Sequence, residues 1–204
     1  MAVAASSLLL AASALGATTI GDVSVDDVTL DGSDADALVF TAGWNPHAGP
    51  NGDTSGFGGA FDSYGTGSWS LLDKHDLGSG FGNTGMLTFT FLQNSGTDGT
   101  WSVTNTSATD TVTLDLVLAM HAGDGGTGFL FDDQAINAGQ TLNGTWSIDW
   151  FTGNNNANPD FSNVTMFGRD MDMITTPVPE PSEYAMLLVG LGLVGFVARR
   201  RKQS

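Results

Sequence analysis

The chain has 204 residues, no Cys and a formal net charge of −16 at neutral pH. That length leaves room for one domain of ordinary size between end segments, and the absence of Cys excludes disulfide frameworks, thiol chemistry and thiolate metal sites. So large an acidic excess repels phosphate backbones, which excludes nucleic acid as a partner.

Residues 1–17 are rich in Ala, Ser and Leu, with an apolar centre at Leu8, Leu9 and Leu10. They read as a secretory signal peptide, with Ala12-Ser13-Ala14 fitting the small-x-small cleavage rule, although no Lys or Arg precedes the apolar stretch.

Residues 18–174 are expected to form the working domain. Twenty of the chain's 22 acidic residues are Asp in this region, against only Lys74 and Arg169 as bases, and Gly, Thr, Ser and Asn are abundant. Asp, Asn, Ser and Thr compete with the helix backbone for hydrogen bonds and Gly loses too much entropy in a helix, whereas Thr, Val, Phe and Trp suit a pleated surface. An all-β domain follows.

Weak strand signals occur at Val23–Leu30, Leu38–Ala42 and Trp69–Leu72. Between the last two, residues 45–67 are rich in Gly, Pro, Asn and Ser and read as a long surface loop, with Phe57, Phe61 and Tyr64 scattered through it. The clearest period-two run is Met86–Leu92, in which Leu87, Phe89 and Phe91 face one way and Thr88 and Thr90 the other. Trp101 and Val103 then alternate with Ser102 and Thr104, and Asp98-Gly99 is the turn signal that makes the two runs a hairpin.

Val112, Leu114, Leu116 and Leu118 alternate with polar residues until Val117 breaks the polar side. Phe129 and Phe131 form a short run, Asn143-Gly144 reads as a turn ahead of Trp146, Ile148 and Trp150, and Val164–Phe167 is a last strand candidate. About eight short strands without helical periodicity predict an antiparallel two-sheet sandwich, a jelly roll being one arrangement of it.

Residues 175–183 form a Pro-rich linker that Pro holds stiff and extended. An uncharged apolar run follows at 184–198, and Arg199, Arg200, Arg201 and Lys202 head a basic tail at 199–204. Fifteen helical residues span roughly 22 Å against a hydrocarbon core of roughly 30 Å, a gap that snorkelling Arg side chains and local bilayer thinning can close. The expectation is a single transmembrane helix with its basic end in the cytoplasm and the domain outside.

Pro179-Glu180-Pro181, the apolar run and the basic cluster, in that order, resemble the PEP-CTERM sorting signal of bacteria that secrete exopolysaccharide. The resemblance covers residues 177–204 and implies processing near Pro179, Glu180 and Pro181 by exosortase, a membrane transpeptidase-like enzyme. It further implies transient anchoring in the inner membrane and delivery to the surface or an exopolysaccharide matrix. It implies nothing about the chemistry of the domain, because such tails are attached to many different domains.

Within the domain, His47, His75 and His121 lie in no nucleophile or zinc pattern, and neither G-x-S-x-G nor H-E-x-x-H occurs. No catalytic residue, resident metal or cofactor is assigned, and a non-enzymatic role is expected. Calcium is the ionic candidate, with Asp31, Asp34 and Asp36 in a Gly/Ser turn as its oxygen ligands and Asp124, Asp132 and Asp133 in another loop region, although the spacing of the first group departs from an EF-hand. Trp44, Phe57, Phe61 and Tyr64 are the candidates for stacking on a sugar ring. The expected role is structural or adhesive, in association with exopolysaccharide. A carbohydrate-binding module, calcium-dependent or not, is the alternative, and a secreted hydrolase stands behind it.

Overall fold

The computed structural model describes residues 18–153, 156–175, 186–191, 193 and 199. The chain divides into two compact units, Met1–Ile174 and Thr175–Ser204. In the second unit, Met186–Leu191, Leu193 and Arg199 are helical, and no helix among the described residues is long and apolar enough to cross a membrane. The signal peptide expected at 1–17 lies outside the described residues, as do residues 176–183 of the expected linker and Arg200, Arg201 and Lys202 of the tail.

In the first unit the alternating runs become β1 (Thr29–Leu30), β2 (Ser33–Asp34), β3 (Ala37–Ala42), β4 (Ser70–Asp76), β5 (Leu87–Gln93), β6 (Asp98–Asn105), β7 (Asp110–Ala122), β8 (Gly125–Ile136), β9 (Thr141–Ser147) and β10 (Phe161–Thr175). Short 3-10 turns occur at Val25–Asp27 and Ser55–Phe57. A five-stranded sheet runs in the order β3-β8-β7-β10-β4 and a three-stranded sheet in the order β5-β6-β9, with β1 and β2 paired on each other. The pairings β3–β8, β8–β7, β10–β4, β5–β6 and β6–β9 are antiparallel.

Period-two alternation directs one face of each sheet into a shared core. Phe89, Phe91, Trp101, Val103 and Trp146 from the small sheet meet Leu116, Leu118, Met120, Phe129, Phe131, Val164 and Met166 from the large one. Phe91, Trp146 and Phe161 form a triangle of rings, with Phe91 stacked on both at centroid distances of 4.6 and 4.7 Å and the other two 5.4 Å apart. Each buried indole finds an acceptor: Trp101 Nε1 donates to the Thr29 carbonyl (2.9 Å), Trp146 Nε1 to that of Leu92 (3.2 Å) and Trp150 Nε1 to that of Ala122 (3.1 Å). These bonds let large aromatic bodies be buried without stranding a polar hydrogen. The expected two-sheet sandwich is the architecture observed.

Two expected turns prove to be strand, one at the start of β6 and one in the interior of β9. Asp98-Gly99 lies within β6 and Asn143-Gly144 within β9, and the β5–β6 reversal falls instead at residues 94–97. The reason is packing. Across β6 and β9 the register sets Gly99 opposite Trp146 and Trp101 opposite Gly144, two reciprocal Gly–Trp pairs. A methyl carbon on Gly99 would come within 1.9 Å of the Leu92 carbonyl oxygen and 2.7 Å of the Trp146 indole nitrogen. One on Gly144 would come within 1.9 Å of the Thr29 oxygen and 2.5 Å of the Trp101 nitrogen. These glycines serve close approach, not chain reversal.

The segment at 45–67 is likewise no solvated loop throughout. It folds over the outer face of the large sheet, where Phe57 and Phe61, with Trp44 beside them, pack on Val117, Ala119, Leu130 and Phe167 as a second apolar cluster. Phe57 meets Trp44, Trp69 and Phe167 edge to face, each at 5.4 Å. Val117, which interrupts the polar side of its strand, does so because that side is covered.

Candidate functional site

The strongest concentration of charge in the interior follows from a β-bulge. Along β7 and β8, Leu114 pairs with Gln134 but Leu116 pairs with Phe131, so Asp115 faces two residues, Asp132 and Asp133. Asp133 takes a left-handed φ of 46° to make the detour, a conformation that Asp tolerates better than most side chains. Oxygens of the three carboxylates then lie within 4.8 Å of one another.

Asp115 is buried and would be untenable alone. Arg169 of β10, also buried, donates Nε to Asp115 Oδ2 at 2.7 Å and a terminal nitrogen to the Phe61 carbonyl at 3.0 Å, beneath the Trp69 ring at 4.4 Å. The other Asp115 oxygen accepts the Asp133 amide at 3.1 Å, and Asp36 accepts the Asp132 amide at 2.8 Å. With its base already engaged, this network ties the 45–67 segment to the sheet. Asp132 is less well served: its Oδ1 is buried without a partner. Burial, and then the neighbouring Asp115 carboxylate, push its carboxyl up to about 6.

The structure distributes the sequence-predicted residues as follows. Asp31, Asp34 and Asp36 line one polar pocket of about 310 Å³ together with Asp132. The one acidic trio close enough to share an ion among the described residues is the bulge set, Asp115, Asp132 and Asp133, so the expected calcium trio is not brought together as a ligand set. Trp44, Phe57 and Phe61 are 4%, 3% and 1% exposed. This corrects their reading as sugar-stacking residues, since their rings are consumed in the second cluster.

Tyr64 remains 36% exposed, with its hydroxyl donating to the Asp36 carbonyl at 3.1 Å. The half-buried aromatic of that region is Trp69, on a cavity of about 610 Å³ it shares with Asp62 and Arg169. The residues of the sorting motif, Pro179, Glu180 and Pro181, lie outside the described residues; Arg199 is helical and exposed.

His75 packs at tilted angles among Phe81, Phe91 and Phe161, and burial lowers its pKa. His121 is lowered for the same reason, and His47 pairs with Asp76 at 3.3 Å.

A different kind of surface lies on the outward face of the small sheet. Register stacks its outward side chains in rows across β5, β6 and β9: Thr88, Thr104 and Thr141 in one; Thr90, Ser102 and Asn143 in the next; Leu92, Thr100 and Thr145 in the third. Thr90 is hydrogen-bonded to Ser102 at 2.7 Å, Thr104 to Thr141 at 2.8 Å, and Thr145 to Thr29 at 2.8 Å. None of these positions carries a charge. Sequence reasoning saw the Thr88/Thr90 and Ser102/Thr104 alternation but could not see that the strands align it into rows. It missed the Asp115–Arg169 pair altogether, for which the one signal was an Arg among apolar strand residues.

A family model described as the PEP-CTERM protein-sorting motif matches residues 177–202. No curated protein and no solved structure matches the chain.

Proposed function

The chain carries a PEP-CTERM protein-sorting motif, and from that premise we propose that it is a structural or adhesive, non-enzymatic protein, exported and handed by exosortase to the cell surface or an exopolysaccharide matrix. The match at residues 177–202 carries the reading. It contains Pro179-Glu180-Pro181, the apolar run to Ala198 and the basic cluster, and so supports exosortase as the processing partner. Pro can join neither a helix interior nor a central sheet ladder, which suits Pro179 and Pro181 to an extended, enzyme-accessible segment. The four cations at 199–202 favour retention of the tail on the cytoplasmic side.

A passive role for the domain is supported by the state of its interior charges. Asp115 is held by Arg169, which also binds the Phe61 carbonyl of the covering 45–67 segment, an arrangement that locks the fold together.

Intact mass spectrometry of the protein recovered from the medium tests the reading. The expected mass lacks both the leader and Arg199–Ser204. Secreted material that still contains Arg199–Ser204 would defeat it, as would export that continues unchanged with Pro179 and Glu180 both replaced by Ala.

A further inference from the structure

We propose that the outward face of the β5-β6-β9 sheet is a contact surface for a neutral polysaccharide chain, held by hydrogen bonds instead of aromatic stacking. The inference deepens the reading of the protein as an exported matrix component and rests on it for the partner's presence. Its geometry is that of the sheet itself: neighbouring rows repeat about every 7 Å along the strands and neighbouring columns about every 4.8 Å across them. Over Thr90, Ser102 and Asn143, and over Thr100, Thr145 and Thr29, this array lines a shallow trough of about 510 Å³.

The chemistry of the face selects the partner. In each hydroxyl pair one O–H donates to the other oxygen, and the accepting hydroxyl keeps its own proton for an external acceptor. The Asn143 amide adds both functions. Sugar hydroxyls are donors and acceptors at once and the C–H faces of a pyranose are apolar, so a sugar complements a trough that mixes Thr, Ser and Asn side chains with the apolar surface of Leu92 and Trp101. Leu92, 62% exposed at the end of the Thr100–Thr145 row, offers an apolar contact to the C–H side of a pyranose ring.

Charge narrows the choice further. The domain carries twenty Asp against Lys74 and Arg169, yet none of the nine outward positions of this face bears a charge. A polyanion would be repelled by the body of the domain and find no cation on the face, and a polycation would be drawn to the acidic surfaces elsewhere. A neutral chain that lies on these nine positions has no charge to desolvate there.

The test uses the full-length chain, purified in a polyoxyethylene detergent that carries no sugar, and its retention on microcrystalline cellulose, on chitin and on alginate beads. Retention is expected on at least one of the neutral polymers and not on alginate. Thr100→Val/Asn143→Leu/Thr145→Val removes the hydrogen-bonding groups while keeping strand-compatible shapes. Thr100→Asp/Asn143→Asp adds charge and keeps the surface soluble. Both are expected to weaken retention by about tenfold or more, with unchanged circular dichroism.

Equal retention by wild type and either variant overturns the proposal, and so does retention on alginate alone or on no neutral polymer. Self-association through this face, seen as dimers in sedimentation that both variants abolish and that no polymer competes away, overturns it in favour of a second copy of the chain. Export and tail removal, read by intact mass, are expected to be unchanged in both variants, which separates a failure of the face from a failure of the sorting reading.

Discussion

Asp132 is the residue whose position is least comfortable in the fold. Its buried Oδ1 lacks a partner, and the carboxyl is raised to about 6 from 3.8 by burial and by the carboxylates around it. Because the folded-state value lies above the unfolded one, the folded state holds this proton more tightly. The group's favourable contribution is complete below about pH 3.8, is lost as pH rises through about 6, and leaves a cost of ionisation at neutral pH. Asp27, also raised to about 6 by burial, acts in the same direction. His75 and His121 act oppositely: their lowered values mean that the unfolded chain gains protons first as pH falls below 6.5, so they withdraw stability there. Asp132→Asn isolates one term of this sum. Thermal unfolding should show the variant a few degrees more stable than wild type at pH 7.5 and equal to it near pH 4. A variant less stable than wild type at pH 7.5 would show that the carboxylate is wanted in its charged form.

At the scale of the element, the reciprocal Gly–Trp pairs decide how closely β9 can lie against β1 and β6 against β5. The Gly144 position has the Thr29 carbonyl oxygen on one side and the Trp101 indole on the other, so even one methyl group forces backbone or indole to move. Gly144→Ala should therefore destabilise the domain by about 3 kcal/mol or more, measured by denaturant unfolding at constant m-value. This is far beyond the ordinary effect of exchanging Gly for Ala in a strand. Exchange of Gly139, whose turn has open space around a φ of 70°, should cost only the strain of its left-handed backbone. The same elements show where sequence reading succeeds. Strands such as β5 and β6 are legible because one face is core and the other solvent, which writes a period of two. The turn signals at Asp98-Gly99 and Asn143-Gly144 mislead because Gly has two uses, chain reversal and close packing, and local sequence does not say which applies.

For the molecule as a whole, the dominating quantity is charge: twenty Asp in the domain oppose two bases, one of them buried in the Asp115 pair. Self-repulsion on that scale should be screened by salt, so the unfolding midpoint is expected to rise by about 5 °C between about 10 mM and about 500 mM NaCl. A flat salt response would show that the carboxylates are spaced too widely to interact. Sequence by itself determined the class of fold and the sorting signal, because both are written in neighbouring residues: strand periodicity repeats every two positions, and the Pro-Glu-Pro, apolar and basic blocks follow one another in order. Only the tertiary structure decided the rest. It turned the 45–67 aromatics inward, joined Asp115 to Arg169 across 54 positions of chain, and aligned three separate Thr-rich strands into one neutral face. Each of these depends on which strands become neighbours and in what register, a choice set by long-range packing of two sheets that no local pattern encodes.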